Sequence, residues 1–376
     1  MRVAVCIYDF VPAKLPLQPW LTLHMVAQRL ARRGHSVHVV SDAAEPARIE
    51  GVESHAVTSL RGSNAAEMRA LLDALRPDAV IFLPTPLNAA TASWLDGLEC
   101  RRIGFASYPF YSAGELATAA RCIGLAEVTQ YLRHLLVPKP VWARAIRRRL
   151  HAMVAQSETT AARLTGLLGG APAALCIPPG IDLAQWRYRT PAEAMDGSTR
   201  LLYLGAAVPI RGFGIALDAL ARVEDAKVRL RVLARGADDA SLAAIRTAIA
   251  VRGLEGRVEV DGGWIERERL IEEIHAADAV LQPFVLVPSE LPVTAMEVIA
   301  CGTPVIGSAI DGLPSTIGPA GTVAAQGSAV ALADAITRFA RDAGVRAAWR
   351  EGCRRQRGLM LDWDEVTTRW EAVLNG

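Results

Sequence analysis

Short runs of β-branched residues alternate with longer segments rich in Ala, Leu and Arg along the whole chain. The first half contains five such runs, RVAVCIY, SVHVVSD, DAVIFLP, RRIGFAS and AMVAQS, and a segment with helical spacing separates each from the next. This alternation is typical of right-handed βαβ units around a parallel sheet. The pattern begins again near residue 200 with RLLYLGAA, RLRVLAR, RVEVDGG, DAVLQPF and TPVIGS. We therefore predict an α/β protein with two Rossmann-like domains that face each other across a cleft.

A polar stretch, YRTPAEAMDGST, lies between the two halves and is typical of an interdomain linker. We place an N-terminal domain at residues 1–184 and a C-terminal domain at 185–359. The last segment, LDWDEVTTRWEAVLNG, predicts a helix at about 360–376 that begins at Asp362 or Asp364 and packs back on the N-terminal domain. The apolar face of this helix is predicted to consist of Trp363, Val366, Trp370 and Val373.

The composition restricts the class of protein. The chain has 376 residues, of which 51% are hydrophobic and 21% charged, a mixture that suits a soluble protein with two cores. A net charge of +2 argues against a nucleic-acid-binding protein. No apolar stretch approaches the roughly 20 residues that span a bilayer, and the first residues lack the pattern of a secretion signal. We expect a cytoplasmic protein.

Cysteine and histidine spacing gives no indication of a metal site. The six cysteines are scattered, without a Cys-x-x-Cys pair, and are interpreted as reduced residues. The seven histidines form no His-x-x-x-His pair and no cluster with cysteine. His35 and His38 are interpreted as flanking a strand. The sequence therefore predicts that the chain binds no metal.

The stretch PSELPVTAMEVIACGTPVIG carries the most chemical information. Pro292 suits a first helical turn, so a helix is predicted to begin there, and Ser289, Glu290 and Leu291 then lie at a helix N-terminus that favours an anion such as phosphate. Glu297, one to two turns inside, can accept two hydrogen bonds from the diol of a ribose. The alternative is that the helix dipole favours Glu290 and that Glu297 is simply solvated.

The same stretch resembles the signature of the retaining GT-B-fold glycosyltransferases of the family 4 (group 1) type. In that family the pattern is E-x7-E, in which the second Glu holds the donor ribose and the first Glu meets the donor sugar. Glu297 and Gly302 match the pattern, but the spacing here is E-x6-E. The resemblance therefore leaves open whether Ser289 or Glu290 faces the donor sugar.

Two further segments resemble the donor-binding half of the same family. In RLLYLGAAVPIRGFG, Gly205 matches the family glycine and Arg211 takes the place of the Lys that neutralises the donor diphosphate, whereas Ala206 stands where relatives have an Arg. VEVDGGWIERERL resembles the stretch that lines the nucleotide base, which places Gly263 and Trp264 beside the base. An ordinary strand-to-helix turn with a packed Trp is the alternative.

The N-terminal half departs more from the family. The loop YDFVPAKLPLQPWLTLHM, with Asp9 and Trp20, lacks the Gly-Gly pair of relatives and either contacts an acceptor or packs on a neighbouring loop. Ser107 and Tyr108 lie where relatives have a His that contacts the donor sugar. The basic amphipathic segment at 131–151 is interpreted either as a peripheral contact with the inner membrane face or as a solvated helix face.

Together the resemblance implies a metal-independent, retaining glycosyltransferase that needs no cofactor. Its donor would be a nucleoside diphosphate sugar, UDP- or GDP-linked, and its acceptor a glycan, a lipid-linked sugar or a small molecule. The alternatives are a sugar-nucleotide-binding scaffold that has lost activity and a sugar-nucleotide epimerase. The predicted catalytic residues are Arg211, Glu290 and Ser289; the donor-binding residues are Glu297, Leu291, Pro292, Gly205, Gly263 and Trp264; and the acceptor or cleft residues are Asp9, Trp20, Ser107 and Tyr108.

Overall fold

Two parallel β-sheets organise the chain, as the alternation predicts. The computed structural model describes residues 1–58, 60, 65–85, 88–89, 91–190, 197–287 and 289–376, except for the side chains of Arg133 and His134. Residues 191–196, in the middle of the predicted linker, lie outside the described part. None of the helices in the described part combines the length and apolar character needed to cross a membrane.

The first sheet has seven parallel strands in the order β3-β2-β1-β4-β5-β6-β7. These strands are β1 (Arg2–Cys6), β2 (Ser36–Ser41), β3 (Val52–Ala56), β4 (Ala79–Phe82), β5 (Arg101–Ala106), β6 (Ala152–Ala155) and β7 (Ala173–Cys176). The helices between them are α1 (Trp20–Arg32), α2 (Ala65–Leu75), α3 (Ala113–Ile123), α4 (Leu125–Leu132), α5 (Lys139–Arg149) and α6 (Glu158–Leu168). Helices cover both faces, so the central strands are buried on each side.

The second sheet has six parallel strands in the order β10-β9-β8-β11-β12-β13. They are β8 (Thr199–Leu204), β9 (Val228–Arg235), β10 (Val258–Gly263), β11 (Ala279–Gln282), β12 (Val305–Ser308) and β13 (Gly321–Ala324). The helices of this half are α7 (Phe213–Arg222), α8 (Asp239–Ala250), α9 (Arg267–Ala276), α10 (Val293–Ala300), α11 (Leu313–Ile317), α12 (Ala329–Arg341) and α13 (Ala343–Arg357).

A last helix, α14 (Trp363–Asn375), returns to the first sheet. Asp362, one of the two predicted start residues, caps it by accepting from the N–H groups of Asp364 and Glu365, both at 2.8 Å. Trp370 packs edge-on against Phe105 of β5, with ring centroids 5.6 Å apart. The burial of Trp363, Val366, Trp370 and Val373 among residues of the first sheet holds α14 there.

The chain passes between the halves twice, and the two connections touch each other. The N–H of Ile181 donates to the carbonyl of Leu361 at 2.9 Å. Gly180 is required at this contact because an added Cβ would lie 2.9 Å from the Cα of Trp363. The first and second connections are therefore joined side by side.

The halves also share one apolar core. Tyr111, Leu116 and Val128 of the first half belong to the same buried cluster as Leu286 and Leu291 of the second half. The two sheets thus face each other across a contact that is partly closed by apolar packing.

Candidate active site

The order of the second sheet identifies where a ligand would bind. Chain order reverses between β8 and β11, and in open parallel sheets the ligand crevice lies beyond the carboxyl ends of the strands at this switch point. Gly205 and Arg211 lie in the loop that follows β8, and Glu297 lies on α10, the helix that follows β11. The fold therefore brings the second-half candidates to one edge of the sheet.

Arg211 is held at this edge by the path of two loops. Gly205 has φ 123°, and an added Cβ there would overlap the Arg211 guanidinium, so the side chain lies directly against the glycine. The carbonyl of Ile210 accepts from the N–H groups of Val285 at 2.9 Å and Leu286 at 3.0 Å. These bonds tie the loop after β8 to the loop that leads into α10.

The charge of Arg211 is uncompensated. Its guanidinium carbon lies 5.9 Å from the ring centroid of Phe284, in the loop after β11. Within the described residues, Arg211 has no carboxylate partner and its side chain makes no hydrogen bond. A fixed guanidinium without a counterion is suited to bind an anion from solution.

Glu297 lies on α10 and has no partner either. In the part of the chain that the structure describes, its partly buried carboxylate forms no hydrogen bond and no ion pair. Burial raises the pKa of Glu297 to about 7, while Arg267 and Arg235 act to lower it. The carboxylate thus has free acceptor positions in a site of low solvation, and it does not point into bulk solvent as a solvated helix face would.

Trp264 follows β10 and presents its ring to solvent. It is 70% exposed, so the predicted alternative of a packed Trp is not what the structure has. The guanidinium carbon of Arg235 lies 4.5 Å from the ring centroid of Trp264, and Gly263 before it has φ 83°. An exposed aromatic face backed by a cation is a suitable surface for a planar base.

Arg235 and Arg267 were missed by the sequence analysis. Arg235 ends β9 and Arg267 begins α9, so both lie at the carboxyl edge of the second sheet. Neither has a carboxylate partner among the described residues. Their positions in the sequence could have indicated them, because the end of a strand and the start of the helix that follows a strand both lie at the edge of the sheet where ligands bind.

Glu290 lies elsewhere than predicted. It is completely buried, and its carboxylate crosses to the first half, where it accepts from the N–H groups of Gln156 at 2.9 Å and Ser157 at 2.5 Å and from the Ser157 hydroxyl at 2.8 Å. The side chain lies at the N-terminus of α6, where free N–H groups favour an acid. Of Ser289 and Glu290, between which the sequence left the choice open, Glu290 is therefore the one engaged in the contact between the halves.

A second polar contact joins the halves beside the first. The Tyr111 hydroxyl donates to Asp311 at 2.8 Å and accepts from the N–H of Val287 at 2.8 Å. Arg163 of α6 lies between Glu115, at 2.6 Å, and Asp311, at 3.4 Å. Burial raises the pKa of Asp311 to about 6. The two halves are therefore held together both by these hydrogen bonds and ion pairs and by the shared apolar core.

We expect Glu290→Gln to weaken the contact between the halves that Glu290 forms with Gln156 and Ser157. One oxygen of Glu290 would become an NH2 group, which cannot accept from the N–H of Gln156 or Ser157, and a buried unpaired donor costs about 1–3 kcal/mol. The measurement is the free energy of unfolding in urea at pH 7.5.

Glu255→Gln is the control, because Glu255 is an exposed acid that forms no ion pair among the described residues, and it should unfold as the wild type does. Equal stability of Glu290→Gln and the wild type would contradict the assigned contact.

Around Glu290, the other predicted residues of this loop differ in exposure. Ser289 is partly exposed, so of the two residues between which the sequence could not choose, only Ser289 remains available to a ligand. Leu291 is 3% exposed and packs in the shared core, which leaves only its backbone for a ligand. Pro292, the predicted first residue of α10, is its N-cap residue, so the helix begins one position later, at Val293.

Three of the four predicted acceptor residues line one cavity in the first half. Trp20, Ser107 and Tyr108 surround a space of about 190 Å³ at the carboxyl ends of β4 and β5. The carbonyl of Ser107 accepts from the N–H of Glu290 at 3.1 Å, so the cavity adjoins the contact between the halves. Asp9 is not part of this lining; its carboxylate pairs with Lys14 at 3.1 Å.

A larger apolar cavity of about 360 Å³ shares Tyr108 with the first. Tyr131, Leu135 and Trp142 line it, and Lys139 lies at its wall. Trp142 is 3% exposed and its Nε1–H has no partner among the described residues. A buried donor without a partner in an aromatic cavity is suited to a ligand that is mostly apolar and carries an acceptor atom.

Comparison with solved structures defines the fold class. The chain is similar over its full length to sucrose-phosphate synthase from Thermosynechococcus elongatus (TM-score 0.76, 18% identity, 98% of that chain). It is also similar over its full length to HepE of Anabaena, solved in complex with UDP (TM-score 0.75, 16% identity, 100% of that chain). At these identities the likeness shows the fold alone, and the fold is GT-B.

The sequence comparisons then give the family. The model of Glycosyltransferase Family 4 matches residues 21–185, and that of Glycosyl transferases group 1 matches residues 198–342. The chain belongs to the group 1, family 4 type of glycosyltransferases.

Curated relatives resemble only part of the chain. A D-inositol 3-phosphate glycosyltransferase of Actinosynnema mirum is 29% identical over 219 residues, 52% of this chain and 50% of the relative. A 2-deoxystreptamine glucosyltransferase of Streptomyces kanamyceticus is 28% identical over 218 residues, 54% of this chain and 55% of the relative. The chain thus matches about half the length of these relatives.

Proposed function

We propose that this protein transfers a sugar from a nucleoside diphosphate sugar to an acceptor hydroxyl with retention of configuration. The observation that supports this most is that Glu297 and the guanidinium groups of Arg211, Arg235 and Arg267 lie at one sheet edge, where none of them forms an ion pair among the described residues. A nucleoside diphosphate offers the complementary groups, because its ribose diol suits the carboxylate and its phosphates suit the cations.

The donor is proposed to be UDP- or GDP-linked. HepE, which shares the fold, has been solved with UDP-glucose. In the present chain Trp264 and Gly263 would hold the base, Glu297 the ribose, and Arg211 the diphosphate. Ala206 stands where the family pattern has a second cation, and Arg235 at the end of β9 and Arg267 at the start of α9 would supply positive charge instead.

The proposed reaction uses no metal and no dedicated base. Arg211 and the N–H groups at the start of α10 would stabilise the negative charge on the leaving diphosphate. The acceptor hydroxyl would approach on the same face of the sugar, and the departing phosphate oxygen would take its proton. Ser289, the partly exposed residue next to α10, would contact the donor sugar in place of Glu290.

The acceptor is proposed to enter from the first half. Its hydroxyl would reach the cavity beside Trp20, Ser107 and Tyr108, and an apolar part would fit the larger cavity with Trp142. The segment 131–151 adds a basic, partly apolar surface, because Leu136 is 77% exposed and Arg144 is exposed on α5. Arg148 and Arg149 are less available, since both pair with Asp96. Contact with an anionic membrane surface is therefore proposed for the part of the segment around Leu136 and Arg144.

The test is turnover with a panel of donors and acceptors. UDP-, GDP- and dTDP-linked sugars are incubated with glycans, small polyols and lipid-linked sugars in neutral or anionic vesicles, and release of nucleoside diphosphate and product anomer are measured. Transfer with retained configuration from one donor class is the expected result. Higher rates on anionic than on neutral vesicles, with sedimentation of the protein, would support the membrane contact.

The alternative function is a sugar-nucleotide-binding scaffold of the same fold. The observation that favours it is the placement of Glu290, the acid of the family pattern, in the contact between the halves rather than in the crevice. Stoichiometric binding of a nucleoside diphosphate sugar without turnover across the acceptor panel would select the scaffold. Epimerisation of the donor without transfer would be seen in the same assay as a changed sugar.

A further inference from the structure

Two histidines and a glutamate meet at the outer edge of the first sheet, away from the second-half loops that carry the donor candidates. β2 and β3 are parallel neighbours, with His38 opposite Glu53 and Val40 opposite His55. Because side chains alternate along a strand, His38, Glu53 and His55 all point to the same face of the sheet. β3 is the edge strand, so solvent can reach this face from one side.

The distances between these side chains suit a tetrahedral metal ion. Nδ1 of His38 lies 3.1 Å from Nε2 of His55 and 3.5 Å from Oε2 of Glu53. All three ligand atoms lie within 4.8 Å of one another. A zinc ion with bonds of about 2.0–2.1 Å places neighbouring ligand atoms about 3.3 Å apart, between the two observed separations.

The surroundings orient His38 as a ligand. The hydroxyl of Ser36 lies 3.0 Å from Nε2 of His38, and a hydrogen bond at one ring nitrogen fixes the tautomer that leaves the other for a metal.

The exposure of the three residues differs in a way that leaves a position open. His38 is 5% exposed, His55 is intermediate, and the side chain of Glu53 is 71% exposed. Three protein ligands on one face with the fourth side towards solvent leave room for a water ligand. Without a metal, Nδ1 of His38 and Nε2 of His55 lie within hydrogen-bond distance of each other.

We propose that His38, His55 and Glu53 form a binding site for a divalent transition metal ion, for which Zn²⁺ has the most suitable geometry. Two imidazole nitrogens and one carboxylate favour Zn²⁺, Ni²⁺ or Cu²⁺ over Mg²⁺ or Ca²⁺. The bound ion joins the edge strand β3 to β2 and stabilises the first sheet; it takes no part in sugar transfer. This departs from the prediction of a chain without metal, which rested on spacing along the sequence alone.

The experiment titrates the full-length, tag-free protein with ZnCl2 after dialysis against a chelator, with binding followed by calorimetry and by competition with a chromogenic chelator. We expect one Zn²⁺ per chain with a micromolar or tighter Kd and a higher Tm in its presence. His55→Asn should weaken binding at least about 100-fold and abolish the rise in Tm.

His151→Asn is the matched control, because His151 is an exposed histidine outside the site, and it should bind Zn²⁺ as the wild type does. Glu53→Gln, at an exposed side chain, provides a second test if His55→Asn folds poorly, and should weaken binding about tenfold or more. MgCl2 should produce no binding and no shift in Tm. Absence of stoichiometric Zn²⁺ binding, or equal binding by wild type, His55→Asn and Glu53→Gln, would overturn the proposal.

Discussion

Arg211→Ala should lower kcat for sugar transfer by about 100- to 1,000-fold. Loss of one fixed group that stabilises developing negative charge typically costs this much. Arg211 lies against Gly205 and has no counterion among the described residues, so its charge is available to the leaving diphosphate. The measurement is the steady-state rate of nucleoside diphosphate release with saturating acceptor.

Two variants make the Arg211 experiment specific. Arg211→Lys keeps the charge but not the planar fork and should recover part of the rate. Arg246→Ala removes an exposed Arg from α8, on the same half, and should leave kcat unchanged. If Arg211→Ala has the kcat of the wild type, the Arg211 guanidinium does not stabilise the leaving diphosphate.

Glu297→Gln should weaken donor binding by about 10- to 100-fold. A hydrogen bond to a charged acceptor contributes about 1.5–3 kcal/mol, and the amide can accept only one of the two bonds that a ribose diol offers. The effect should appear in the Kd of the nucleoside diphosphate as well as in kcat/KM. Glu255→Gln, at an exposed acid of the same half, is the control and should bind as the wild type does.

The pH dependence gives an independent readout of Glu297. The pKa of Glu297 is raised from its ordinary value of 4.5 to about 7 in the folded protein. At pH values between 4.5 and 7, the Glu297 carboxyl is therefore protonated to a greater extent in the folded than in the unfolded protein. Stability without ligand should therefore fall as pH rises from 4.5 through 7, by up to about 3 kcal/mol from this group. Donor affinity should rise over the same range because the ionised form accepts both bonds. The changes of stability and of donor affinity with pH should both be smaller in Glu297→Gln. If both are the same as in the wild type, the role of Glu297 is contradicted.

The sequence predicts the central part of each sheet but not every edge. All ten predicted strands are present, while β3, β7 and β13 were missed. β3 (VESHA) and β7 (AALC) alternate exposed and partly buried residues, and each of the three lies at an edge of its sheet. An edge strand needs no continuous apolar run, so its signal is weaker than that of a strand buried on both faces.

In the candidate site, residues that belong to local motifs could be predicted, whereas contacts between distant segments of the chain could not. Arg211, Glu297 and Trp264 could be named because each lies in a short local segment that resembles a donor-binding motif of the family. The direction of the Glu290 side chain could not, since it depends on N–H groups at the start of α6, more than 130 residues away in the chain. The pairing of His38 with His55 depends in the same way on which strands become neighbours.

The two connections between the halves act as one pivot. Ile181 and Leu361 are bonded to each other, and Trp363 packs against Gly180, so neither connection can lengthen without the other. The halves are therefore expected to rock about this line instead of sliding past each other or separating. The hydrogen bonds that Gln156 donates to Glu290 and Tyr111 donates to Asp311 also cross between the halves, so a rocking motion that opens the halves would have to break them.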